Sequence, residues 1–260
     1  MNVGSLYSNK PVKIFIVITA FFIANALIAE CIGGKIFSLE KLLGLQPSEF
    51  EILGNKGLSF NLTCGVLLWP LEFVITDIVN EYYGAKAVRR ISYIAVGLIL
   101  YAFLMFYFAM RMPPADFWPG SALADGVPDM SKAFNAIFGQ GLWIILGSIA
   151  AFLVSQLVDI LVFQRIKRAT GEKWLWLRST GSTLVSQLVD SFIVLFIAFY
   201  IGKGWSMGLV ISICLLNYAY KSIMAIILTP LLYLMHKWME HYLGKDIEQQ
   251  LRREAMSTGK

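Results

Sequence analysis

The heptapeptide LVSQLVD occurs twice, at 153–159 and again at 184–190. Each copy places Ser, Gln and Asp at i, i+1 and i+4, on one side of a helix: Ser155, Gln156 and Asp159, then Ser186, Gln187 and Asp190. Both copies sit inside long apolar runs. The chain around them is 57% hydrophobic and only 15% charged, with a mean hydropathy of +0.65. A soluble domain carries about 25% charged residues. Several runs reach the roughly 20 residues that cross a bilayer as a helix. They are continuous rather than alternating, which favours helices over a barrel. The fold class is therefore all-α, a polytopic membrane protein.

Six spans are expected, at about 12–33, 60–83, 91–110, 141–164, 181–202 and 207–235. The first is too long for a signal-peptide core and has no small-residue cleavage site after it. Of the 22 Lys and Arg residues, 15 fall on one side: Lys10, Lys13, Lys86, Arg89, Arg90, Arg165, Lys167, Arg168, Lys173, Arg178, Lys237, Lys245, Arg252, Arg253 and Lys260. The positive-inside rule makes that side, and with it both termini, cytoplasmic. The net charge of +5 reflects this asymmetry and carries no nucleic-acid signature. Residues 1–245 read as one transmembrane domain and 246–260 as a cytoplasmic tail. The outer loop 111–140, with Pro113, Pro114, Pro119 and Pro128, reads as irregular and ends in a short interfacial helix. Trp174 and Trp176 read as interfacial anchors, and the segment after His236 as amphipathic. Cys31, Cys64 and Cys214 have no metal or redox spacing.

The repeat can now be placed. Asp159 lies roughly 8 Å from the inner end of span four, and Asp190 roughly 14 Å from that of span five. The two helices are antiparallel and joined by a short loop, so the copies can face one another in one layer. Gly147, Ala151 and Ser155 step by four, which lets span four pack closely on a neighbour. Other spans carry polar sets too. Span two has Glu72, Thr76, Asp77, Asn80 and Glu81 on much of one face, with Pro70 expected to break or kink the helix above them. Span six has Asn217, Tyr220 and Lys221; span one has Asn25 and Glu30. Each ionised side chain at mid-membrane costs at least about 2.5–3.5 kcal/mol, so Asp77, Asp159, Asp190 and Lys221 must face inward. Any single residue here can be structural glue. One Lys, however, cannot neutralise three or more carboxylates. The surplus acids need protons, a cation or a ligand with donor groups.

Four segments together resemble the queuosine precursor transporter family, also called the vitamin uptake transporter family. They are PLEFVITDIVNEYYGAKAVRR, LVSQLVDILVFQRIKR, WLWLRSTGSTLVSQLVDSF and NYAYKSIMAIILTPLLYL. The resemblance covers about 65–235. It implies six helices and uptake of 7-deazaguanine precursors, 7-cyano-7-deazaguanine or its aminomethyl relative, for queuosine modification of tRNA. It carries Thr76, Asp77, Gln156, Asp159, Gln187, Asp190 and Lys221 into the substrate site. Trp143 stands where the family pattern leads one to expect an Arg near the outer start of span four.

The residues fit that chemistry independently. A deazaguanine offers two adjacent donors (N1–H and the 2-amino group), an acceptor (O6) and a flat face. A carboxylate accepts both donors, Gln gives and takes a bond on a base edge, and Lys donates to O6. A stacked aromatic adds about 1–3 kcal/mol per base. The expected substrate-binding set is Asn25, Trp69, Thr76, Asp77, Asn80, Gln156, Asp159, Gln187, Asp190, Asn217, Tyr220 and Lys221. No catalytic residue, metal site or cofactor is expected. The partners expected are the small deazaguanine and membrane lipid, no nucleic acid, with a homodimer left open, in the cell (inner) membrane. Two alternatives stand beside this reading. One is a substrate-binding subunit served by a separate ATPase, since the chain has no Walker motif. The other is an intramembrane enzyme, disfavoured because both histidines, His236 and His241, follow the last span and HExxH and GxSxG are absent.

Overall fold

The computed structural model describes residues 9–139, 141–171 and 174–257; Lys173 and Lys260 of the charge tally lie outside them. The element order is α1 (Lys10–Ile32), β1 (Ile36–Ser38), α2 (Leu39–Leu42), β2 (Phe50–Ile52), β3 (Asn55–Leu58), β4 (Asn61–Thr63), a 3-10 turn (Cys64–Leu67), and α3 (Trp69–Tyr82). Then come α4 (Ala85–Arg111), α5 (Met130–Phe138), α6 (Leu142–Thr170), and α7 (Leu175–Leu195) with a π-helical extension to Ile201. The chain closes with α8 (Met207–Ile227), α9 (Thr229–Leu243) and α10 (Lys245–Ser257). Five helices are long and apolar enough to cross a membrane: α1, α4, α6, α7 with its extension, and α8. The helical, multi-pass class read from the sequence holds.

Two expected spans differ. The helix of span two begins at Trp69, not at 60; residues 61–67 are a short strand and a 3-10 turn. Pro70 has no N–H to give a preceding turn, so it starts α3 rather than kinking it. Fourteen residues rise about 21 Å, short of the roughly 30 Å hydrocarbon core. Twelve of the fourteen are buried, so α3 lies inside the bundle, away from lipid. That is where a helix bearing Glu72, Thr76, Asp77, Asn80 and Glu81 is tolerated. Span six is likewise two helices. Pro230 near the start of α9 breaks the run at Leu228.

Lipid is met by α4, whose Tyr93, Ile94, Leu100, Tyr101, Leu104 and Phe108 are exposed. Its other face packs Val88, Ala95 and Ile99 with Phe22 of α1 and Val79 of α3 in the main core. Segment 36–63 forms two antiparallel two-stranded sheets, β1 with β4 enclosing the hairpin of β2 with β3 in sequence. In the loop after α4, α5 forms as the expected short helix, with Asp129 capping it through the Lys132 amide at 3.0 Å. Lys10 Nζ donates to the Tyr242 carbonyl at 3.1 Å, so the first and last long helices have those ends at the same end of the bundle.

Glu40 pins the hairpin segment. Its Oε1 accepts from the amides of Phe60 (2.8 Å) and Ser48 (3.4 Å), and its Oε2 from Ser38 Oγ (3.0 Å). Burial alone would raise its pKa, but these hydrogen bonds outweigh burial and hold the carboxyl below its ordinary value. A depressed folded pKa gives stability that is present above the unfolded value, near 4.3, and is lost as pH falls through the folded one. The hydrogen-exchange protection of the Phe60 amide is therefore expected to fall on acidification below the ordinary carboxylate range. Glu40→Gln should remove that pH dependence.

α6 and α7 form the tightest pair. A Cβ at Gly147 would come within 3.1 Å of the Val194 carbonyl, and one at Gly202 within 2.5 Å of Trp143 Cβ. Only glycine allows this approach, which brings the two LVSQLVD copies into contact.

Candidate functional site

The copies face one another in reciprocal register. Ser155 Oγ of the first donates to Asp190 Oδ1 of the second at 3.4 Å. Ser186 Oγ of the second donates to Asp159 Oδ1 of the first at 3.1 Å. Each serine serves the other copy's aspartate, so a local two-fold relates the two motifs. The two aspartates then differ in their surroundings. Asp190 Oδ2 meets Lys221 Nζ of α8 at 2.5 Å. Asp159 is buried at the α6–α7 contact and has a serine partner instead.

α3 runs parallel to α6 beside this pair. Gln164 Nε2 of α6 donates to Asn80 Oδ1 of α3 at 2.6 Å, and about three turns away the Trp69 and Phe152 rings lie 5.5 Å apart. On its other flank α3 faces α7, where Ser179 donates to Asp77 Oδ2. Between α3, α7, α8 and α9 lies a narrow cleft. Asp77, Thr180, Thr183, Gln187 and Lys221 give it polar walls; Pro70, Phe73, Val74 and Leu232 give it apolar ones. Thr180 and Thr229 hydroxyls bond at 3.0 Å and tie α7 to α9 along its edge. Two buried atoms at this cleft have no hydrogen-bond partner: Asp77 Oδ1 and Gln187 Nε2. An unpaired acceptor and an unpaired donor, both desolvated, are expensive to leave so. Their geometry suits a ligand that carries the complementary groups.

The twelve residues expected to bind substrate do not converge on one site. Asp77, Gln187 and Lys221 line the cleft, with Asp190 directly behind Lys221. Thr76 bonds the Phe73 carbonyl of its own helix (3.0 Å), and Asn217 the Ile213 carbonyl (3.0 Å). Tyr220 packs with Leu62 and Val66 beneath the hairpins. Asn80 is held by Gln164. Trp69 lies against Phe152 of α6, and Asn25 of α1 and Gln156 of α6 are buried; none of the three lines the cleft. The sequence reading missed Ser179, Thr180 and Thr183, one α7 face ahead of the second motif. Their spacing to Gln187, in steps of four from Ser179 through Thr183, was the available signal. Among the described residues no three His, Cys, Asp or Glu side chains stand close enough to share a metal ion.

A second polar centre lies at the end of α3. Glu81, 1% exposed, receives Lys167 Nζ of α6 (3.0 Å), Arg178 Nη2 of α7 (2.8 Å) and Arg252 Nε of α10 (2.8 Å). Lys167 also donates to the Glu81 carbonyl at 3.0 Å, and Glu248 meets Arg252 at 3.4 Å. Nearby, Tyr82 Oη bonds His236 Nδ1. Burial, before any charge effect, pushes the His236 pKa below 6.5, so this imidazole is neutral at pH 7. The sequence reading had counted Lys167, Arg178 and Arg252 as inner-surface charges; three of them instead knit four helices around one carboxylate.

Comparison with known proteins gives this geometry a family. A segment of 107 residues is 31% identical to a Bacillus subtilis (strain 168) protein named "Probable queuosine precursor transporter". That segment covers 41% of this chain and 42% of the relative, so less than half of either is aligned. No solved structure matches the chain. Residues 63–235 match the family described as "Putative vitamin uptake transporter", a stretch that holds α3, the cleft and both LVSQLVD motifs. The chain belongs to this family of membrane uptake transporters and is not an enzyme.

Proposed function

We propose that the protein imports a 7-deazaguanine precursor of queuosine, 7-cyano-7-deazaguanine or its aminomethyl relative, across the cell membrane, and that the cleft between α3, α7, α8 and α9 is where it binds. In this reading α3 completes a six-helix count as a half-helix, and both termini lie in the cytoplasm with the Lys167, Arg178 and Arg252 end of the bundle. The observation that carries the proposal is the pair of unpartnered buried atoms on a polar cleft beside a Lys–Asp pair. Asp77 accepts from N1–H and the 2-amino group. Gln187 Nε2 or Lys221 donates to O6. Phe73 covers the ring face. Broken helices at the midplane are a recurrent setting for transporter sites, and Pro70 and Pro230 open two of them here.

Gln187→Leu tests the donor. It removes the amide without adding charge, and a neutral hydrogen bond is worth about 0.5–1.5 kcal/mol. The affinity for 7-cyano-7-deazaguanine, measured by calorimetry on purified protein, should fall roughly two- to tenfold. The affinity of Asn217→Leu should stay at the wild-type value, since that amide is satisfied within its own helix. Equal affinity in Gln187→Leu and wild type would remove Gln187 from the site.

A further inference from the structure

Six carboxylates sit within the helical bundle: Glu30, Glu72, Asp77, Glu81, Asp159 and Asp190. Five accept a hydrogen bond or an ion pair. Glu30 takes Ser148, Asp77 takes Ser179, Asp159 takes Ser186, Asp190 takes Ser155 and Lys221, and Glu81 takes its three cations. Glu72 differs. It is 0% exposed, and neither of its oxygens has a partner. An ionised carboxylate buried without a donor carries an uncompensated charge, which folded proteins avoid by neutralising the group.

The position of Glu72 gives that neutral state a use. α3 packs on α6 through the Asn80–Gln164 bond and the Trp69–Phe152 contact. Gln156 of α6, whose Oε1 and Nε2 are also buried and unpartnered, makes no hydrogen bond with Glu72. A protonated Glu72 carries no charge to compensate, which is the form a buried carboxyl without a counter-ion takes. Glu72 is not on the cleft wall, although Pro70, Phe73, Val74 and Asp77 of the same helix are. It is five residues from Asp77, about 7.5 Å along the axis and well round the helix.

We infer that Glu72 is a proton-binding site on the short helix α3, off the cleft wall, and that its protonation is coupled to substrate binding at Asp77 on the same helix. The inference rests on the transport reading above. One rigid fourteen-residue helix carries both groups, so a ligand at either face biases the same element. In the arrangement described, Glu72 is protonated and sealed. A displacement of α3 that admits water to it releases the proton. Each inward cycle then takes one proton from the outer solution and delivers one to the inner. Titratable groups on the elements around α3 are otherwise engaged: Glu30 on α1, Asp159 on α6, Arg178 on α7, Lys221 on α8, His236 on α9 and Arg252 on α10. None of them is within ion-pair distance of Glu72.

The test uses the full chain in liposomes with radiolabelled 7-cyano-7-deazaguanine. Wild-type protein should concentrate it under an acid-outside gradient, by about tenfold per pH unit for one proton per substrate. Glu72→Gln keeps the shape and a permanently neutral side chain. It should exchange labelled for unlabelled substrate near the wild-type rate and yet only equalise label with the medium. Glu72→Asp should concentrate substrate with its pH profile displaced, and serves as the measured variant if Glu72→Gln does not purify folded. Gradient-driven accumulation in Glu72→Gln, an unshifted profile in Glu72→Asp, or wild-type accumulation indifferent to the gradient overturns the inference. Absence of any exchange by the wild type points instead at the substrate reading.

Discussion

Glu81→Ala is expected to lose about 3–5 kcal/mol of stability, the cost of leaving buried charge without its counter-ion. Lys167 and Arg178 are 2% and 0% exposed, so neither can turn to water when the carboxylate goes. Glu81→Gln should cost nearly as much, because an amide keeps a hydrogen-bond acceptor but removes the charge that three cations share. Arg252→Ala should cost clearly less, since that side chain is the most exposed of the three and sits on α10. Urea or thermal unfolding in detergent gives the ranking. A loss under about 1 kcal/mol for Glu81→Ala would mean that the cations find water or another carboxylate, and the account of this end of the bundle would be wrong. The same centre predicts a functional signature. It joins α3, α6, α7 and α10 at the end of the bundle opposite the hairpins, so weakening it at Arg252 should loosen that end while leaving the cleft residues intact.

Lys221→Met has the second largest expected effect, and it separates structure from function. Lys221 and Asp190 meet at 2.5 Å and are partly reachable from the cleft, with side chains 9% and 19% exposed. Breaking the pair should cost toward the lower end of the same 3–5 kcal/mol range, because Asp190 keeps Ser155 and some solvent. Precursor uptake should fall more than tenfold. The double variant Lys221→Met, Asp190→Asn removes both charges and should recover most of the stability, as double-mutant cycles of buried pairs lead one to expect. Its uptake should stay low if Lys221 also serves the substrate. Uptake restored along with stability would assign the pair a purely structural role. Lys221→Arg keeps the charge and is expected to be the mildest of the set.

Much of this arrangement was legible in the chain. The two LVSQLVD copies, in antiparallel helices joined by a short loop, could be read as sharing one layer and able to face one another. Their reciprocal Ser–Asp pairing follows from the same spacing. The pairing of Lys221 with one of the surplus acids followed from the cost of mid-membrane charge. What hydropathy could not give was depth and side. Residues 60–68 are apolar enough to extend a span, yet strand pairing of Asn61–Thr63 with Ile36–Ser38 and the missing N–H of Pro70 start the helix nine residues later. Gln156 and Gln187 occupy equivalent places in the repeat, but only Gln187 lines the cleft; a repeat read in one dimension cannot show that. Glu81 was visible as polar, but its cations come from three segments, one of them 171 residues on at Arg252, and looked like ordinary inner-surface charge.

The central claim is that the cleft bearing Asp77 binds a 7-deazaguanine through its donor edge. The most direct measurement is the affinity of purified wild type and Asp77→Asn for 7-cyano-7-deazaguanine, alongside its analogue lacking the 2-amino group. Hydrogen bonds to a charged acceptor contribute about 1.5–3 kcal/mol. Asp77→Asn should therefore bind roughly ten- to a hundredfold more weakly, and the loss of the 2-amino group should penalise the wild type far more than the variant. Equal affinity of the two proteins for the precursor, or an identical penalty for the missing amino group in both, would contradict it.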